Sequence, residues 1–284
     1  MNAIFLGGDL RQKYACELLN NNNIYSEFYD DFLLDNIMKD KIAQSSIVVF
    51  PIPTIKNEIF LNNSSSTLIK FNEIITFINN NSLVFGGKLS QLIKNIFTDL
   101  NLSYVDLFDI ESFQIQNALL SAEGAIYYAK QRFDRSIHGS KIAVLGFGRI
   151  GKILSYLLHS QGAKITVCAR KDSDYTWSRV IGFDGYKIKI SDDRNNLSLI
   201  NNEYDIIFNT IPHWIIEEDL AKRINPNTII IDIASHPYGI DERLIKKYNL
   251  QYYRELGIPG RYAPKSAGEI IGKTIINYIF AREE

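Results

Sequence analysis

Cysteine is nearly absent from this chain. Its two cysteines, Cys16 and Cys168, lie far apart in no CxxC or Cys/His spacing. That argues against a disulfide framework or a zinc site and points to a reducing cytoplasm. An excess of one charge is also missing: 31 Lys and Arg face 32 Asp and Glu, a formal net charge of −1. No global field therefore favours nucleic acid or an anionic membrane surface. No stretch approaches the ~20 uncharged apolar residues that span a bilayer. Residues 2–8 form a short apolar run without the basic start of a signal peptide, followed at once by Asp9 and Arg11. Neither nucleic acid nor a membrane is an expected partner. With 46% hydrophobic and 22% charged residues in 284, the chain has a globular composition and enough length for two ordinary domains.

What is present is a repeated alternation. Short apolar runs at 3–6, 47–50, 82–85 and 103–106 are interleaved with helical periodicity at 11–20, 69–78 and 89–100. The Asn/Ser-rich residues 62–67 read as a surface loop. Residues 114–131 predict a long helix, with Ala118, Ala122, Ala125 and Ala129 recurring along it, and 137–139 a loop after it. Strand signals then return at 141–145, 165–169, 206–209, 229–232 and 251–254, and an apolar helix at 267–282 follows Pro264. This rhythm predicts an α/β chain of two doubly wound parallel-sheet, Rossmann-like domains. The expected boundaries are 1–115 for a substrate or catalytic domain and 116–140 for a connecting helix and hinge loop. A dinucleotide-binding domain is expected at 141–264, and at 265–284 a terminal helix packing back toward the first domain.

The run 142–151 carries the strongest chemical signal. Gly146, Gly148 and Gly151 stand at G-x-G-x-x-G spacing between an apolar strand and an amphipathic helix. The first glycine permits the tight turn, the second lets backbone N–H groups approach a pyrophosphate, and the third allows close helix–strand packing. Phe147, Arg149 and Ile150 complete the candidate phosphate-binding turn. An NAD site places Asp or Glu at the end of the second strand to hold the ribose 2′-hydroxyl. Here the order is Arg170-Lys171-Asp172-Ser173. Arg170 can pair a 2′-phosphate, with Lys171 and Ser173 adding contacts, so NADP is expected in preference to NAD; the alternative is an exposed basic loop. Asn209-Thr210-Ile211-Pro212 and Ser235 follow two further strands, where ligands of such sheets bind; for Thr210 and Pro212 the alternative is simple turn chemistry.

A second glycine turn, Gly7-Gly8-Asp9-Leu10-Arg11, lacks the third glycine. Its amides could hold an anion at a helix start, with Arg11 as a carboxylate clamp. On spacing alone, Asp9 as a helix cap beside a solvated Arg11 is the competing reading.

Several motifs together resemble the A chain of dipicolinate synthase from spore-forming bacteria. They are Gly7-Gly8-Asp9-x-Arg11-Gln12, Asn117-x-x-x-Ser121-Ala122-Glu123-Gly124, Ile137-His138-Gly139-Ser140 and Val144-Leu145-Gly146-Phe147-Gly148-Arg149-x-Gly151. Asn209-Thr210-Ile211-Pro212, Asp232-x-Ala234-Ser235-x-Pro237 and Pro259-Gly260-x-x-Ala263-Pro264-Lys265-Ser266-Ala267-Gly268 continue the series over nearly the whole chain. One departure is visible: Tyr238 stands after Pro237 where a second glycine is expected.

The resemblance implies an NADP-dependent oxidation of a dihydrodipicolinate-type precursor to dipicolinic acid, late in the lysine branch. It implies partnership with a flavoprotein-like B subunit. It further implies a homo-oligomer in the cytoplasm of a sporulating mother cell. Glu123, in an otherwise apolar helical stretch, is the candidate proton donor or acceptor, or else a surface or structural residue. Arg11, Lys88 and Lys265 are candidates to neutralise a dicarboxylate substrate, with Asp9 beside Arg11 in the catalytic set. His213 follows Pro212 and is a candidate to approach a nicotinamide. Two other readings share the two-domain plan: a D-2-hydroxyacid dehydrogenase, and a non-catalytic NADP-binding regulatory protein. The first lacks its machinery, because Ala234-Ser235 and Lys265-Ser266 stand where its Arg and His would be.

Overall fold

The computed structural model describes residues 1–57, 59–62, 68–188 and 203–281. The loop expected at 62–67 therefore lies, beyond Asn62, outside the described residues. The chain forms two compact units, one made of Met1–Asn117 with Gly260–Glu284 and the other of Ala118–Pro259.

The first unit runs β1 (Asn2–Leu6), α1 (Leu10–Asn21), β2 (Tyr25–Tyr29), α2 (Asn36–Gln44), β3 (Ile47–Val49) and a small hairpin of β4 (Ile55–Lys56) and β5 (Phe60–Leu61). It continues with α3 (Phe71–Ile75), β6 (Leu83–Gly86), α4 (Gln91–Asp99), β7 (Ser103–Asp106) and the start of α5 (Glu111–Lys130). Its main sheet is wholly parallel in the order β2-β1-β3-β6-β7. Alternation along the strands divides the core. Ile4, Leu6, Val48 and Val84 face α2, α3 and α4, while Ala3, Phe5, Ile47, Val49 and Phe85 face α1 and the terminal helix.

The second unit runs β8 (Lys141–Leu145), α6 (Arg149–Ser160), β9 (Lys164–Ala169), α7 (Asp172–Val180), β10 (Asp184–Lys187) and β11 (Ile206–Asn209). Then come α8 (Glu218–Ala221), β12 (Ile229–Asp232), α9 (Glu242–Lys247), β13 (Gln251–Arg254) and α10 (Ile258–Tyr262), the last crossing into the first unit before α11 (Pro264–Phe280). Its parallel sheet has the order β10-β9-β8-β11-β12-β13. This is the dinucleotide-fold order, in which the strand sequence reverses between β8 and β11 and opens a crevice at their carboxyl ends.

The terminal helix α11 starts at Pro264, whose missing N–H costs nothing in a first turn. It is held by packing against α1. Ile271, Ile275 and Ile279 are buried in the first unit's core, each contributing roughly 1.5–3 kcal/mol, more than helix propensity supplies. Close approach depends on Gly268, where a Cβ would stand 2.5 Å from the Arg11 carbonyl oxygen and 2.6 Å from the Tyr14 Cβ. Gly268→Val is expected to destabilise the first unit by about 3 kcal/mol. Urea denaturation checks this, and a midpoint matching wild type would rule out the tight contact.

Candidate functional site

The β8–α6 turn is shaped by its three glycines. Register pairs Leu145 with Asn209, so Thr210 lies beside Gly146; its hydroxyl donates to the Leu145 carbonyl at 2.9 Å. Gly146 has φ +101° and Gly151 packs directly on its carbonyl. Gly148 is the N-cap of α6 and no side chain caps that helix. A Cβ at Gly148 would enter open space. The helix therefore presents its amino end and positive dipole to whatever lies above the turn.

That end opens onto a cavity of about 400 Å³ bounded by Gly146, Phe147, Gly148, Arg170, Lys171, Thr210, Ile211 and Pro212, together with Asp174 and His213. Arg170 is exposed and makes no hydrogen bond or ion pair among the described residues. Asp174 pairs with Lys152 at 2.9 Å, and the Lys152 ammonium also lies over the Phe147 ring. Phe147 is buried against Phe183, so its contribution to the cavity wall comes mainly through its backbone. His213 keeps Nδ1 at 3.2 Å from the Trp214 carbonyl.

Most of the cofactor candidates singled out in the sequence thus meet in one place. Arg149, Ile150, Ser173, Asn209, Ser235 and Glu123 do not line that cavity. Asn209 needs a correction as a direct hydrogen-bond donor to a ligand. It is fully buried, and its amide is committed to the Ile211 backbone on both sides and to Asp232. It shapes the Thr210–Pro212 turn from behind. Ser235 is exposed on the loop after β12, and Glu123 is half-buried on α5.

The amino-terminal glycine turn is also corrected. Its amides are already satisfied: Gly7 donates to the Tyr29 carbonyl, Gly8 to that of Asn62, and Asp9 to the Gln12 side chain. Asp9 caps α1 with a full capping box. Arg11 is not solvated: Nε and Nη2 bond the Asp9 carboxylate, and Nη2 reaches the Ile52 carbonyl at 2.7 Å. Burial raises the Asp9 carboxyl, but the Arg11 guanidinium more than offsets this and holds it below the usual carboxylate range. Nη1 makes no hydrogen bond among the described residues. Lys88 is exposed with its ammonium over Phe108, and Lys265 is exposed in the first turn of α11. Among the described residues no group of His, Cys, Asp or Glu could hold a metal, and no helix is long and apolar enough to cross a membrane.

A family model for the N-terminal domain of the dipicolinate synthase A chain matches residues 2–108, and one for ketopantoate reductase PanE/ApbA matches 142–235. The dipicolinate synthase A chain of Bacillus subtilis (strain 168) is 31% identical over 193 residues. That alignment takes in 68% of this chain and 63% of the relative, a little under two thirds of its length. The crystal structure of the dipicolinate synthase A chain from Bacillus subtilis superposes with a TM-score of 0.84 at 26% identity, covering 100% of this chain and 98% of that one. The chain is thus similar to dipicolinate synthase A chains, by family model over its first domain and by structure over its whole length. D-lactate dehydrogenase from Escherichia coli, in its apo form, shares the fold with a TM-score of 0.67 at 13% identity, covering 100% and 97%.

The departure at Tyr238 has a local explanation. Tyr238 adopts φ +69°, the left-handed conformation that favours the glycine expected there. Its ring lies 3.7 Å from the Arg254 guanidinium carbon and meets the His236 ring edge-on, contacts that offset a backbone cost of about 1–2 kcal/mol. Asp174 escaped sequence reasoning because α7 did: its available signal was the pair of acids in the first turn of a helix that follows two basic residues.

Proposed function

We propose that this chain is an NADP-dependent oxidoreductase that, with a B subunit, oxidises a dihydrodipicolinate-type precursor to dipicolinic acid. The observation that carries the cofactor assignment is the uncapped α6 amino end over an open Gly148, facing the cavity that Arg170 and Lys171 border. The bound nicotinamide would supply hydride acceptance, and the accompanying ring proton leaves to a base. Gly148 and the first turn of α6 hold the pyrophosphate, and Arg170 pairs the 2′-phosphate. Glu123 is the proposed base. Arg11 binds a substrate carboxylate through Nη1, braced by Asp9 and the Ile52 carbonyl. Similarity to dipicolinate synthase A chains supports the substrate assignment, and the Ala234-Ser235 sequence after β12 weighs against hydroxyacid chemistry, which needs an arginine there.

The decisive experiment incubates the purified chain with the dihydrodipicolinate synthase product and NADP+, with and without the B subunit. Dipicolinate and NADPH are expected together. If the chain alone yields no NADPH and dipicolinate appears only with B, a self-sufficient dehydrogenase is excluded. For the cofactor, Arg170→Ala is expected to weaken NADP+ roughly 10- to 100-fold while leaving NAD+ nearly unchanged, the effect of one lost charge-assisted contact. Titration of both nucleotides checks it, and equal wild-type affinities for the two would remove the preference.

A further inference from the structure

Asp232 ends β12, is fully buried, and pairs with no lysine or arginine among the described residues. Its carboxylate is satisfied by four donors instead. Oδ1 accepts from the Asn209 amide at 3.0 Å and the Ala234 N–H at 2.9 Å. Oδ2 accepts from the Gly239 N–H at 2.7 Å and the Tyr252 hydroxyl at 2.7 Å. These donors come from the end of β11, both sides of the loop after β12, and β13. A buried carboxylate is tolerated only when so fully paired, which makes the arrangement all-or-none in character.

The consequence falls on the cavity. Asn209, held by Asp232, accepts from the Ile211 N–H and donates to the Ile211 carbonyl, both at 3.1 Å, and so fixes the turn whose Thr210, Ile211 and Pro212 form one wall. The same two loops are joined again where the Ile215 and Ile216 N–H groups donate to the Gly239 carbonyl and the Trp214 indole donates to that of Pro237. We infer that Asp232 is a positioning residue for the nicotinamide nucleotide: it locks the loops after β11 and β12 into one rigid wall. The inference rests on the proposed cofactor site.

Asp232→Asn tests it at nearly constant volume. An asparagine has one acceptor oxygen, so its amide must face one of the two donor pairs, and one loop is released. The chain has two tryptophans, so a Trp177→Phe background leaves Trp214, whose indole bridges the two loops, as the only reporter. Ile231→Ala is the control: the residue before Asp232 is equally buried but takes no part in the loop bonds. In direct titration, Asp232→Asn is expected to weaken NADPH at least about tenfold, the loss of a buried charged hydrogen bond, and to shift the Trp214 emission. Ile231→Ala is expected to lower the thermal midpoint while changing neither. Tyr252→Phe, which removes one donor of four, is expected to give a smaller shift in the same direction and serves if Asp232→Asn does not fold. NADPH affinity lost equally in Asp232→Asn and Ile231→Ala, or unchanged in both Asp232→Asn and Tyr252→Phe, overturns the inference alone. A wild-type protein that binds neither NADPH nor NADH overturns the cofactor reading and this inference with it.

Discussion

Gly151→Ala is expected to lower nucleotide affinity at least about a hundredfold and the stability of the second unit by about 3 kcal/mol. The cause is backbone against backbone. A Cβ at position 151 would lie 2.1 Å from the Gly146 carbonyl oxygen and 2.9 Å from its carbon, whereas real Cβ atoms essentially never come within 3.0 Å of a neighbour. No side-chain rotation relieves this, so the turn must open by roughly an ångström, an overpacking cost at the upper end of the usual range. Opening carries the α6 amino end away from the pyrophosphate position proposed above, and losing two charge-assisted contacts of about 1.5 kcal/mol each accounts for the hundredfold. Gly148→Ala separates the two effects. Its methyl meets nothing in the protein, so the thermal midpoint should hold while nucleotide binding still falls. If Gly148→Ala bound NADPH as wild type, the pyrophosphate would not pass over that residue.

Arg132→Met is expected to cost the second unit about 3 kcal/mol, lowering its thermal midpoint by roughly 6–12 °C. Arg132 lies just beyond α5 and Glu255 just beyond β13. Nη2 bonds the Glu255 carboxylate at 2.6 Å, Nη1 bonds the Tyr128 carbonyl at 2.7 Å, and the guanidinium lies over the Tyr253 ring. Glu255 is only 4% exposed, so losing that guanidinium leaves a carboxylate in a poorly solvated place. Arg132→Lys should recover little, because one ammonium cannot match the planar fork that serves both acceptors and stacks on the ring. Adding Glu255→Leu to Arg132→Met should restore much of the loss, since removing both charges also removes the desolvation cost. Calorimetry of the four-member cycle reads the coupling; a single-variant loss below about 1 kcal/mol would class the pair with surface ion pairs.

The strands at 141–145, 206–209 and 229–232 are legible residue for residue, since each is a central, covered strand with a local apolar signature, and the edge strand 251–254 is legible through its paired tyrosines. Two edge strands are not. β2 (YSEFY) and β10 (DGYK) are largely polar and half-exposed, and they exist because a parallel neighbour offers its hydrogen bonds. The helix read at 69–78 shortens to Phe71–Ile75, because its Lys70 cap makes no side-chain bond and the chain turns after Thr76. At the site, Arg170 and the glycines could be read because their roles follow from backbone geometry and charge. Asn209 could not. Nothing local distinguishes an amide aimed at a ligand from one aimed at Asp232, 23 residues away.

The sequence by itself determined the α/β class, the glycine turn, and a basic residue where an NAD site carries an acid, all properties of short stretches of chain. Only the tertiary structure decided that α1 closes its own amino end while α6 leaves its end open, because that turns on whether Asp9 or a bare Gly148 occupies the cap. It also tied Arg11 to the Ile52 carbonyl, brought the terminal glycines against α1, and gathered Arg170 with Thr210. These are contacts between residues distant in sequence, whose partners become known only when sheet order and helix packing bring them into range.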